Sequence, residues 1–283
     1  MGPTPTTRYL EPDGVRAAAG LVRLGQVISL NRPLTDRLGG RQALKRTVFA
    51  DHRLWDLGDG RLAVINDDAV EIALQGSSHW DAIAHFGVVE PQSVYFGGAG
   101  IDETSQGHAR SLGIDLLAGG VATRGVLLDM VGLLAAPGAE WLAPDTRIRR
   151  AEVVRCLEAQ NVSLRRGDAV LVHTGYHQRV AAEPDASTAA VAGVDADTLE
   201  LWEASETFAL LADNRAVEPS PSQDLPLHVG ALTKLGLFLG EGWNLGELAA
   251  ACAADGVYEF MFVSVPLNIP GAYGSPSNAV AIR

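Results

Sequence analysis

Apolar residues in this chain fall into short runs, broken by glycine, proline and charged positions at lengths that suit strands alternating with helices. Strand-like runs occur at Gln26–Leu30, Ala69–Leu74, Arg124–Met130, Ala169–Thr174, Phe208–Asn214, Phe260–Pro266 and Ala279–Ile282. Runs such as Gly125-Val126-Leu127-Leu128 are continuously apolar, the pattern of a strand covered on both faces. Helical spacing appears over Arg149–Gln160, Ala196–Ala204, Leu227–Leu235 and Leu245–Ala253. Asn244 is placed to cap the last of these, with Glu247 three residues on in capping-box register. Gly167-Asp168 predicts a turn, and Ala181–Asp197, rich in Ala, Pro, Ser and Asp, a surface loop. Strand-like sequence continues to Ile282, so the last segment is expected to rejoin a sheet begun earlier. The prediction is one compact α/β domain over residues 25–283, preceded by an N-terminal extension at 1–24.

Composition narrows the classes. With 283 residues, 47% of them hydrophobic and a mean hydropathy of +0.10, the chain can bury a sizeable core and fits neither a disordered nor a fibrous protein. A net charge of −12 argues against nucleic acid or an anionic membrane as partner. No run reaches the roughly 18 apolar residues of a membrane span, and Met1–Gly14 has no apolar core of a secretory signal. Cys156 and Cys252 form no CxxC pair and read as buried hydrophobes, in keeping with a cytoplasmic protein.

The sharpest chemical signal is His79-Trp80-Asp81-Ala82-Ile83-Ala84-His85. In extended chain, His79 and Asp81 project to the same face, and one helical turn from Asp81 brings His85 to the same side. Two imidazoles and a carboxylate are ligand types that hold Zn²⁺ or Mn²⁺. Hydrogen-bonded core histidines capped by an aspartate would give the same spacing. Downstream, His228 begins a predicted helix and Glu241 follows an apolar run, as either a ligand or a turn residue. His177 lies just past a strand end, where α/β proteins place ligand-binding groups. His52, in the charged stretch Asp51-His52-Arg53, reads as a surface residue, and His108 and His173 have no patterned partner. No G-x-S-x-G elbow and no P-loop occurs, and Gly97-Gly98-Ala99-Gly100 does not match G-x-G-x-x-G.

The segment Gly76-Ser77-Ser78-His79-Trp80-Asp81-Ala82-Ile83-Ala84-His85-Phe86 resembles the H-x-G-T-H-x-D-x-P-x-H signature of the cyclase family, which includes bacterial kynurenine formamidase and isatin hydrolase. Gly167 to Gly175, Asp213 to Pro219, His228, Leu239-Gly240-Glu241 and Val265 to Pro276 match further family segments in order. The resemblance implies a swivelling β/β/α fold, a homo-oligomer (dimer or tetramer), and a divalent metal ion, manganese or zinc. It implies His79 and Asp81 as metal ligands, His85 as general acid/base, and His228 and Glu241 completing the metal site. Gln75 stands where the family has its first histidine and would offer a harder oxygen ligand, which tilts the site towards manganese. Extra sequence at Leu34–Leu62 and Glu90–Gly120 could build a substrate lid.

The expected activity is hydrolysis of a small amide, lactam or lactone; Trp80, Phe86 and Tyr176 read either as aromatics stacked on the substrate or as ordinary core aromatics, and His177 as a pocket candidate. Two alternatives stay open: a cyclase or dehydratase acting on a polyketide-like intermediate, and an inactive small-molecule-binding relative.

Overall fold

The computed structural model describes residues 3–35, 40–89, 94–105, 109–187 and 189–283. In chain order its elements begin with α1 (Pro12–Ala19), β1 (Val27–Ser29), β2 (Lys45–Asp56), β3 (Leu62–Glu71), β4 (His79–Asp81) and β5 (Val121–Asp129). Then come α2 (Met130–Leu134), β6 (Arg147–Ile148), α3 (Arg150–Ala159), β7 (Ala169–His173), α4 (Tyr176–Ala182) and β8 (Gly193–Val194). The chain closes with α5 (Leu199–Ala204), β9 (Ala209–Ala212), α6 (Pro226–His228), β10 (Phe238–Glu241), α7 (Gly246–Asp255), β11 (Glu259–Ser264), β12 (Gly274–Pro276) and β13 (Ala279–Ile282). A π-helical segment, Val229–Leu235, continues directly from α6.

Nine strands make one mixed sheet in the order β1-β13-β11-β5-β7-β9-β10-β4-β12. The middle strands β5, β7, β9 and β10 run parallel, and β4 pairs antiparallel with both β10 and β12. Every residue of β7 and β9 is buried, as their continuous apolar sequence requires. The C-terminal strand β13 pairs with both β1 and β11, so the end of the chain does rejoin the sheet. On its inner side the sheet carries an aromatic cluster of Trp80, Phe208, Phe238, Trp243 and Phe262, with Trp80 edge-on to Phe238, Trp243 and Phe262 at centroid distances of 5.2–6.5 Å. Gly240 lets β10 pass close beneath this cluster, since a Cβ there would sit 2.5 Å from the Trp243 Nε1. The elements around the main sheet form a single compact α/β domain, and no described helix is long and apolar enough to cross a membrane.

Several expectations need correction. Asn244 caps nothing through its side chain: the helix begins at Gly246 after Leu245, and the Asn244 N–H instead donates to the Leu30 carbonyl at 3.0 Å. The stretch Ala181–Asp197 is more ordered than a loop, because β8 within it pairs in parallel with β6. The strand expected at Ala69–Leu74 ends at Glu71 and is the tail of a much longer one, β3, paired with β2 in a separate two-stranded ribbon. Cys156 and Cys252 are buried free thiols, as read.

Candidate metal centre

The site is built on β4, a three-residue strand held on both sides. Successive strand residues alternate faces, so His79 and Asp81 point one way and Trp80 the other. Register then places Glu241 of β10 directly opposite His79. One ligand atom each from His79, Asp81 and Glu241 lies within 4.8 Å of the others, and all three residues are buried. His79 Nε2 stands 3.5 Å from Asp81 Oδ1 and 3.5 Å from Glu241 Oε2.

The hydrogen bonds around these groups tell which atoms are left over. His79 Nδ1 lies 2.8 Å from the Ser77 carbonyl, which can only accept, so Nδ1 carries the proton and Nε2 presents its lone pair to the other ligands. His79 Nε2 and both Asp81 carboxylate oxygens are buried without a hydrogen-bond partner. Buried polar atoms left unpaired are costly, and three of them converging in one place fit a bound cation. Burial works against ionising Asp81, but the imidazoles of His85, His79 and His228 outweigh it and hold its carboxyl well below the ordinary range. The residues present therefore fit a divalent ion held by one imidazole and two carboxylates.

His228 does a different job from the one expected. Its Nδ1 lies 2.6 Å from Glu218 Oε1 and its Nε2 3.2 Å from Glu241 Oε1, so both ring nitrogens are engaged by carboxylates. Burial opposes its charge, yet the hydrogen bonds to Glu218 and Glu241 prevail and raise its pKa to about 10. As an imidazolium it donates to both acids and holds Glu241 with its other oxygen towards His79, in the manner of a group that orients a ligand from behind. Glu218 is the residue that sequence reasoning missed. Its carboxylate also accepts from the backbone N–H of Leu227 and His228 at 3.3 and 3.0 Å, pinning the start of α6.

His85 sits on a 3-10 turn, Ile83–His85, rather than on an α-helical turn. Its Nε2 is 3.6 Å from Asp81 Oδ1, and with a side chain 23% exposed it is the member of the cluster within reach of solvent. Gln75 turns its amide nitrogen, not its oxygen, inwards: Nε2 donates to the Tyr273 carbonyl at 3.2 Å and lies 3.3 Å from His85 Nδ1. The Tyr273 carbonyl can only accept, which fixes the amide, so Gln75 here supports His85 and is not arranged as a ligand.

The expected substrate contacts divide. Phe86 is half-buried with its ring 6.0 Å from that of His228, beside the centre. Trp80 is fully buried, its indole N–H donating to Ser264 Oγ at 2.9 Å, which places it in the core. Tyr176 packs with Val191 in a small separate cluster, and its hydroxyl donates to the Ser187 carbonyl at 3.3 Å. His177 follows it at the start of α4. Burial and the charge of Arg32 push its pKa down to about 3, and its Nε2 is buried without a hydrogen-bond partner. His173, without a partner by sequence pattern, pairs with Asp129 at 3.0 Å. His108 lies outside the described residues.

The sequence matches the family model for Cyclase over residues 22–219, well over half of the chain. A crystal structure of a novel cyclase is 30% identical, covering 99% of this chain and 94% of that one with a TM-score of 0.86. Isatin hydrolase A from Labrenzia aggregata, bound to benzyl benzoate, is 16% identical with a TM-score of 0.64 over 93% of this chain and 94% of its own. A potential metal-dependent hydrolase with cyclase activity shares the fold at 16% identity and a TM-score of 0.54, covering 91% of this chain and 98% of that one. No curated protein sequence matches the chain.

Proposed function

From the premise that this chain belongs to the cyclase family, we propose that it is a metal-dependent hydrolase of small amides, lactams or lactones. The observation that carries this reading is the trio of buried, partnerless atoms, His79 Nε2 and the two Asp81 oxygens, aimed at one point beside Glu241. When bound there, a divalent manganese or zinc ion supplies Lewis-acid polarisation of a carbonyl and acidification of water.

The chain's own residues do the rest. His79, Asp81 and Glu241 are the ligands, and the ion pair of His228 with Glu218 keeps the Glu241 carboxylate turned towards His79. His85 is the proton carrier, holding or exchanging a proton at Nε2, the ring nitrogen facing Asp81. Gln75 keeps that ring in place through Nδ1. Phe86 offers an apolar flank for the substrate. The likeness of fold to isatin hydrolase, whose name gives a lactam substrate, supports choosing a cyclic amide first.

The test is metal analysis of the purified protein followed by a turnover screen on lactams, lactones and formamides before and after chelation. Turnover that a chelator abolishes and added metal restores is expected. Turnover that persists in metal-free protein would refute the mechanism.

A further inference from the structure

Folded interiors leave few voids larger than a water molecule. Yet a cavity of about 390 Å³ lies between the N-terminal turn Thr6–Tyr9 and the end of the π-helical segment. That volume falls within the roughly 300–1,000 Å³ of small-molecule pockets. No residue of the candidate metal centre lines it. Its inner wall is apolar, formed by the buried Phe96, Trp202 and Leu237 beside Leu235.

Most polar groups of the wall are already engaged. The Trp202 indole N–H donates to Thr198 Oγ1 at 2.9 Å, and the Thr6 hydroxyl to the Phe208 carbonyl at 2.7 Å. Arg8 donates to the Thr4 carbonyl and the Tyr9 hydroxyl, with its guanidinium over the Tyr9 ring. Two charges remain. Lys234 and Glu203 both line the cavity with exposed side chains, and among the described residues neither forms an ion pair, with the other or with any third group. Opposite charges that share a cavity without meeting leave room for a ligand between them.

We propose that this cavity binds a free amino acid with an aromatic or large aliphatic side chain. An apolar wall with a few placed polar groups is how small-molecule pockets combine affinity with orientation. The side chain of the ligand lies against Phe96, Trp202 and Leu237. Its carboxylate meets Lys234 and its ammonium meets Glu203, each through a charge-assisted hydrogen bond. A plain carboxylate would gain Lys234 but also approach Glu203, and a plain amine the reverse. Each therefore forfeits part of what the zwitterion gains.

The cavity is joined to the chemistry by one element. Lys234 and Leu235 close the π-helical segment, which continues from α6 and His228. The segment packs on both the Ile83–His85 turn and the Phe96–Gly98 turn. A ligand in the cavity thus rests on one end of a segment whose other end carries the group that orients Glu241. Such π-helical turns are rare and concentrate at functional sites. Opening a cyclic amide with water leaves a carboxyl and an amino group on one molecule, so the ligand belongs to the product class of the proposed reaction. That link rests on the proposed function, and the binding itself does not.

The experiment is isothermal titration calorimetry of L-phenylalanine into the full chain, with benzoate and 2-phenylethylamine as single-charge controls. Saturable binding with a Kd at or below about 1 mM is expected. Each control should bind roughly tenfold more weakly, the loss of one charge-assisted hydrogen bond. Lys234→Ala and Glu203→Gln alter exposed side chains, so they should keep the wild-type circular dichroism spectrum and lose affinity by a similar factor. Chelated wild-type protein should bind as tightly as untreated protein, which separates this cavity from the metal centre. Binding that survives both substitutions, or that the chelator removes, would overturn the inference. So would benzoate binding as tightly as phenylalanine, or no binding of phenylalanine at about 1 mM. If the calorimetry behaves as expected while no metal-dependent turnover is found, the proposed function falls and the binding site stands.

Discussion

Replacing Glu218 by glutamine keeps the side chain's size and removes its charge from behind the candidate metal centre. In the folded protein His228 titrates near 10 against an ordinary value of 6.5. That gap corresponds to roughly 5 kcal/mol in favour of the charged ring, at about 1.36 kcal/mol per pH unit. Glu218 makes the shorter of the two carboxylate contacts, 2.6 Å against 3.2 Å for Glu241, so about half of the sum, roughly 2–3 kcal/mol, is assigned to it. For a chain of this size each kcal/mol moves the melting temperature by about 2–4 °C, giving an expected loss of about 5–10 °C. The pH dependence has a definite sign. A pKa raised on folding stabilises fully below the unfolded value, near 6.5, and the contribution is lost as pH rises through about 10. Thermal melts of chelated wild-type and Glu218→Gln protein should therefore differ most near pH 6.5 and converge towards pH 10. A difference under 2 °C at pH 6.5, or one that stays constant to pH 10, would refute the assignment of His228 as a buried imidazolium held by Glu218.

Two further substitutions separate positioning from ligation and core from site. Gln75→Leu removes the partner of His85 Nδ1 and should lower kcat at least tenfold while leaving metal content near wild type. A proportionate loss of metal, read by elemental analysis, would instead make Gln75 a ligand. Trp80→Phe deletes the indole bond to Ser264 and part of three edge-on ring contacts. It should cost about 1–3 kcal/mol in urea unfolding with KM unchanged, whereas a raised KM with unchanged stability would place Trp80 against substrate after all.

How much of this was legible in the sequence depends on how local each feature is. β5, β7, α3 and α7 follow from apolar runs and helical spacing that owe little to distant partners. The convergence of His79 and Asp81 follows from strand alternation alone. The same alternation, carried one residue further, puts Trp80 on the opposite face, so its place in the core could have been read as well. Glu218 carries no local signal. It lies in irregular chain between β9 and α6 and matters only because the fold returns His228 and Glu241 to it. The orientation of Gln75 is set by a carbonyl 198 residues away. The β2–β3 ribbon escaped notice because its apolar residues do not alternate with polar ones in the usual one-sided way, and its bulges between Val48 and Arg53 shift the register.

The proposed mechanism rests on His79, Asp81 and Glu241 holding a divalent ion. Elemental analysis of the protein after exposure to manganese or zinc and removal of excess by gel filtration tests it directly, with His79→Ala as the paired variant. One ion per chain is expected in the wild type and less than one tenth in the variant. A metal-free wild type, or a variant that retains its ion, would contradict it.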